Sequence, residues 1–93
     1  SVIEGNLVLC NSWVHVLFDT GEAHSFISSA CAKSLELVCE PLATALSVMS
    51  PMRGCIWVGS ICKDCKIGMS DLRLTCDLRA MEMSDFDIIL GMD

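Results

Sequence analysis

Along residues 72–79 apolar and polar side chains alternate: Leu72, Leu74, Cys76 and Leu78 against Arg73, Thr75, Asp77 and Arg79. A period of two sends one set into a core and the other into water, which predicts a strand. Other strands are announced by short apolar runs. Leu7-Val8-Leu9-Cys10 and the run 13–18 flank Asn11-Ser12, so a hairpin is expected with Asn11-Ser12 at its bend. Residues 47–49 and 55–58 flank Ser50-Pro51-Met52-Arg53-Gly54, where Pro and Gly mark a hairpin tip. Phe86-Asp87-Ile88-Ile89-Leu90-Gly91 is a further run, closed by glycine. One segment, 30–37, predicts a helix, with Ser28 or Ser29 as cap and Cys31 and Leu35 four apart on one side. Pro41 lies beyond it and cannot continue it. Six or seven short strands and one short helix describe a mainly β domain, barrel-like or sandwich-like.

Composition narrows this. A chain of 93 residues is enough for one domain and too short for two. A domain of that size buries a modest share of its surface and gains from dimerising. With 53% hydrophobic residues, some apolar surface is expected to be covered by a partner. No stretch reaches the roughly 18 apolar residues of a membrane span, so no membrane association is expected. No basic segment followed by an apolar one opens the chain, which predicts an intracellular rather than a secreted protein. Both ends read as cuts from something longer. The net charge of −6, with 12 acids against six scattered bases, argues against direct nucleic-acid binding.

Seven cysteines leave at least one unpaired. Without a leader sequence, buried free thiols are the expected state, because Cys packs as a small hydrophobe. Cys62-Lys63-Asp64-Cys65 has the spacing of half a zinc site, but its second pair is missing, and His15 and His24 lie far upstream. Packing is the expected role of these residues, and no metal or organic cofactor is expected.

The segment Val16-Leu17-Phe18-Asp19-Thr20-Gly21-Glu22 carries the chemistry. An apolar strand stops at an acid, followed by a small hydroxyl residue and a glycine. Activating water against a peptide bond takes two carboxyl groups sharing one proton, since their repulsion splits their pKa values into an acid and a base. Each must leave a packed strand in a tight loop, where Gly21 lets the backbone turn. Asp-Thr-Gly also suits an ordinary turn. The chain holds one copy, so a second aspartate would have to come from a second chain in a twofold dimer.

The wider segment resembles the catalytic stretch of the retropepsin-type proteases of plant gypsy-class LTR retrotransposons, which commonly reads Leu-Phe-Asp-Ser-Gly-Ala-Thr-His-Ser-Phe-Ile-Ser. Leu17, Phe18, Asp19, Gly21, His24, Ser25, Phe26, Ile27 and Ser28 match it. The closing stretch 83–93, Met-Ser-Asp-Phe-Asp-Ile-Ile-Leu-Gly-Met-Asp, is similar to the same family's Asp-Phe-Asp-Val-Ile-Leu-Gly-Met-Asp-Trp-Leu. The resemblance implies a small closed β-barrel of the acid-protease type with one short helix. It implies an aspartic endopeptidase that cuts its own polyprotein as a symmetric homodimer, in the cytoplasm or a retroelement particle, on extended peptide segments. Asp19 would be the catalytic aspartate. Thr20 would make a hydroxyl contact across the dimer axis, and Gly21 would support the loop. Pro51, Met52, Arg53 and Gly54 would form the flap over substrate, and Ile89, Leu90 and Gly91 would pack beneath the active-site loop.

Two departures accompany the resemblance. Glu22 stands where the family usually has Ala; it either adds a like charge beside the aspartates or turns outward into water. The sequence stops at Asp93, where the family continues with Trp-Leu, a helix and a strand that helps form the dimer. The alternative reading is therefore an inactive domain of the same fold that dimerises or binds peptides; a zinc domain on Cys62 and Cys65 is a third. His15 and His24 are expected to be structural, Met49, Met52, Met69, Met81 and Met83 to fill core or flap, and Asp85 and Asp87 to cap or face solvent.

Overall fold

The computed structural model describes residues 2–50, 53–69 and 71–93. Among them run β1 (Val2–Leu9), β2 (Ser12–Asp19), β3 (Phe26–Ser28), α1 (Ser29–Ser34), β4 (Glu40–Ser50), β5 (Gly54–Met69), β6 (Leu72–Met81) and β7 (Ile88–Gly91). They form one sheet in the order β1-β2-β7-β3-β6-β5-β4. The end of β1 also pairs with β5, Val8 opposite Gly68 and Leu9 opposite Ile67, which bends the sheet into a ring and leaves β4 attached to β5 alone.

The first hairpin turns one residue earlier than expected. Cys10 and Asn11 occupy the bend, both with positive φ (52° and 61°), the backbone that a two-residue turn matched to strand twist requires. The hairpin at residues 50–54 forms as expected, with Ser50 opposite Gly54. Its arms are far longer than the local runs suggested, β5 alone having 16 residues.

Helix α1 is shorter than the 30–37 expectation. Ser28 caps it, its Oγ accepting from the Cys31 N–H at 2.9 Å. It stops because Glu36 turns left-handed (φ 54°). The Glu36 N–H then reaches the Lys33 carbonyl and the Leu37 N–H the Ala32 carbonyl, so the stop is made by the chain itself, and Pro41 falls in β4.

The central strands are buried on both faces. Val16, Ile27, Ile88 and Leu90 join the core inside the ring, while their neighbours Leu17, Phe26 and Ile89 pack outside it against Val48, Ile56 and Val58 of the β4–β5 hairpin. Double-sided burial explains why β2, β3 and β7 read as continuous apolar runs, whereas β6 alternates.

Cys31 and Cys65 are buried free thiols, as expected, but one pair of cysteines departs from that expectation. Cys39 and Cys62 are disulfide-bonded, which ties the root of β4 to β5. The Cys62–Cys65 spacing has a backbone explanation. Residues three apart on a regular strand face opposite ways, but the β5–β6 register shifts between them and Asp64 takes a φ of 54°, so both thiol positions point inward. Burial pushes the Cys31 and Cys65 thiols up to about 11. Met81 is buried and Met83 half-buried, but Met69 lies on the exposed rim and Met49 on the outside of the hairpin.

Candidate active site

Asp19 is the last residue of β2, with Val2 of β1 opposite it on one side and Gly91 of β7 on the other. Its carbonyl accepts from the N–H groups of Met92 (3.0 Å) and Glu22 (3.3 Å), and its Oδ1 accepts from the Gly21 N–H at 2.9 Å. These three donors are all backbone N–H groups, so the shape of the chain holds the buried Asp19 in place.

The loop 20–25 leaves β2 and returns as β3, crossing over the end of β7. Gly91 N–H donates to Ser25 Oγ at 3.1 Å, and Asp93 N–H to the Glu22 carbonyl at 3.2 Å. The crossing is so close that a Cβ on Gly91 would lie 2.5 Å from the carbonyl oxygens of both Glu22 and His24. Only glycine fits there. Ile89 and Leu90 flank it in β7, on opposite faces of the sheet.

Glu22 does not turn into water. It is 2% exposed, against 4% for Asp19. Its Oε1 receives a long contact from the His24 N–H (3.4 Å), and its Oε2 is buried with no hydrogen-bond partner. No hydrogen bond joins the two carboxyl groups among the described residues. Thr20, next to Asp19 in the loop, is exposed.

Gly21, Glu22 and Ala23 form one wall of a cleft of about 680 Å³, whose other wall is the hairpin at Val48 and Gly54. The structure thus brings Asp19, Gly21, Glu22, Gly54 and Gly91 to one place. Arg53 is not among them. It turns away to Asp85, its Nη2 2.6 Å from Oδ2, and that hydrogen bond, more than the charge itself, holds the Asp85 carboxyl below its ordinary value of 3.8. Pro51 and Met52 lie outside the described residues.

Asp85 is exposed, and Asp87 and His15 have partners of their own. Asp87 accepts from the His15 N–H at 2.8 Å, and His15 Nε2 lies 3.3 Å from Glu4 while its ring meets Phe86. Two features escaped the sequence. Arg79 lines the cleft although it reads as an outward position of β6, and no local signal marks it, because β3 brings Phe26 alongside it. Ser25 holds Gly91, and its presence in the recognised segment was the available signal. Among the described residues no cluster of three or more His, Cys, Asp or Glu is placed to hold a metal ion.

The family model for retroviral aspartyl proteases matches residues 1–93. The crystal structure of the retroviral protease-like domain of Ddi1 from Leishmania major superimposes with a TM-score of 0.75 at 13% identity, covering 100% of this chain and 74% of that one. At that identity the likeness is one of fold: mainly β, one short helix, a retropepsin-like ring. No curated protein matches the chain.

Proposed function

This chain belongs to the retroviral aspartyl protease family, and we propose that it is an aspartic endopeptidase, active as a twofold homodimer with Asp19 contributed once by each subunit. The observation that carries the reading is the placement of Asp19: a buried carboxyl group accepting from the Gly21 N–H, at a strand end, beside a cleft roofed by a hairpin. One carboxyl cannot be acid and base at once. Two, brought together across an axis, share a proton; one then draws a proton from water while the other protonates the scissile carbonyl. Thr20, exposed beside Asp19, would meet its counterpart's loop across the axis. Gly21 holds the carboxyl and leaves the cleft wall bare for a substrate backbone, which would lie extended beneath the β4–β5 hairpin as an added strand. The hairpin would close over it and exclude water.

The likeness of residues 17–28 and 83–93 to plant gypsy-class elements supports a retrotransposon polyprotein as source and substrate, with the cytoplasm or an element particle as the place of action. Cleavage of an unstructured peptide mixture, scanned from acid to neutral pH, tests the activity. Wild type is expected to cut, and Asp19→Asn to be silent with an unchanged melting temperature; turnover surviving in a pure Asp19→Asn sample overturns the assignment.

A second reading, an inactive peptide-binding domain of the same fold, is favoured by one observation: Glu22 is a buried acid in the cleft wall, three residues from Asp19. A silent wild type that gains cleavage on Glu22→Ala would support it.

A further inference from the structure

The Glu22 carboxyl has no part in the hydrolysis outlined above, yet the fold holds it inside. Its carbonyl accepts from the Asp93 N–H and its own N–H donates to Asp19, so the backbone on either side of it is fixed and the side chain is directed into the protein. Burying a carboxyl oxygen without a donor is unfavourable, and folded proteins leave few such atoms. None of the cleft's own donors relieves Oε2. Arg79 lines the same cleft but forms no ion pair with Glu22, and the Ser47 hydroxyl is engaged with Cys55 Sγ at 2.6 Å. Glu22 lines the cleft, so an occupant of the cleft is placed to bring the donor that Oε2 lacks among the described residues.

We propose that Glu22 makes the cleft selective for a basic side chain of the substrate, Lys or Arg, at a position beside the scissile bond. The inference rests on the reading of the cleft as a peptide site. A lysine or arginine entering between loop 20–25 and the hairpin lays its aliphatic stem against Val48 and brings N–H donors to Oε2. Glu22 lies three residues from Asp19 on the same wall, so the side chain it reads belongs to a residue close to the bond being cut. The overall charge works in the same direction, a net −6 drawing basic peptides toward the chain. The apolar neighbours of Glu22 in the cleft wall, by contrast, make an unfilled or hydrocarbon-filled pocket the costlier state for this acid.

The test separates recognition from catalysis. Short extended peptides carrying a single lysine, moved one position at a time, are compared with the same peptides carrying norleucine, which keeps the stem and removes the charge. Binding is measured to the Asp19→Asn protein by fluorescence anisotropy, and cleavage of the same set by wild type. At one peptide position lysine is expected to bind roughly 10-fold to 100-fold tighter than norleucine, and Glu22→Gln in the Asp19→Asn background to bring that ratio near unity. Equal binding of the pair at every position overturns the proposal, as does a lysine preference that survives Glu22→Gln; the ratio in the Asp19→Asn parent decides even if the second substitution prevents folding. Lysine-selective binding without any cleavage by wild type upholds the selectivity and overturns the protease reading. Cleavage indifferent to lysine does the reverse, and failure to bind any peptide overturns both.

Discussion

Asp19, beside the cleft, lies between two strands, with Val2 on one side and Gly91 on the other, whereas β4 in the roof has β5 as its one neighbour among the described residues. That part of the site is a crossing of backbone over backbone: Asp19 and the loop 20–25 are stitched to residues 91–93 by three hydrogen bonds, and the crossing leaves no room for a Cβ on Gly91. The roof packs through a few side chains, Val48, Ile56 and Val58, while Met49 and Trp57 on its outer face stand 72% and 70% exposed. A disulfide secures its root and one ion pair its tip. The contrast suits a hydrolytic site, in which the reacting group has to be rigid and the cover has to move.

The sharpest way to break this contrast is Gly91→Ala. The added methyl would meet two carbonyl oxygens at 2.5 Å, both belonging to backbone that cannot rotate away. The expected loss is more than about 3 kcal/mol, a fall of roughly 12–24 °C in melting temperature for a domain of this size, with activity lost alongside. Chemical unfolding of the variant against wild type checks it; a melting temperature within a few degrees of wild type would mean that the crossing is looser than the geometry requires.

Next is the root of the hairpin. The Cys39–Cys62 bridge closes a loop with a sequence separation of 23, and in the chain-entropy account such a closure stabilises by about 3 kcal/mol. Wild type is expected to melt lower in the presence of a reductant, and a protein carrying both Cys39→Ala and Cys62→Ala to be indifferent to it. Mass measurement of alkylated thiols gives the count of free cysteines independently.

The tip is a smaller matter. Arg53 and Asp85 are joined at 2.6 Å, but the Asp85 side chain is 54% exposed, so solvent screens the pair and Asp85→Asn is expected to cost a few tenths of a kcal/mol. Because Arg53 lowers the Asp85 pKa in the folded state, the contribution is present above the ordinary carboxyl value of 3.8 and is lost as pH falls through the lowered one. Limited proteolysis at the tip, faster in Asp85→Asn at neutral pH and faster in wild type under strong acid, reads this directly. Smallest of all is Gly59→Ala in the roof, where nothing lies within 4 Å of the new methyl. Its effect on stability is expected to stay within about 0.5 kcal/mol, the counterpart of the Gly91 result.

What could be read from the sequence follows the same division. Local patterns carried local structure: the alternation in β6, the serine that caps α1, the turn residues between β4 and β5, and the apolar runs of β2 and β7. Asp19 and its loop could be singled out because the residues of the proposed site are contiguous in sequence. What stayed hidden depends on residues far apart. The closure of β1 on β5 at Val8 and Leu9 has no mark in either strand. The left-handed Glu36 that ends α1 sits in a stretch with helical composition. The pairing of Cys39 with Cys62 is one among many that seven cysteines allow, and it becomes visible only when Glu40 is seen opposite Ile61, one step along the same ladder. Glu22 could be noticed as a departure, but whether it faced water or the interior depended on Asp93, 71 positions later, holding its carbonyl.

The place of β7 in the sheet has a consequence for timing. It lies near the C-terminal end of the sequence, yet it fits between β2 and β3, parallel to one and antiparallel to the other. A ribosome delivering this chain from its N-terminus therefore produces the two walls of a slot long before the strand that fills it, and both walls wait with unpaired backbone edges. Until residues 88–93 have emerged, Gly91 is not under the loop, Met92 does not hold the Asp19 carbonyl and Asp93 does not hold that of Glu22. The strand that fills this slot also locks the carboxyl group in place, so the site stays unformed until residues 88–93 have joined the sheet.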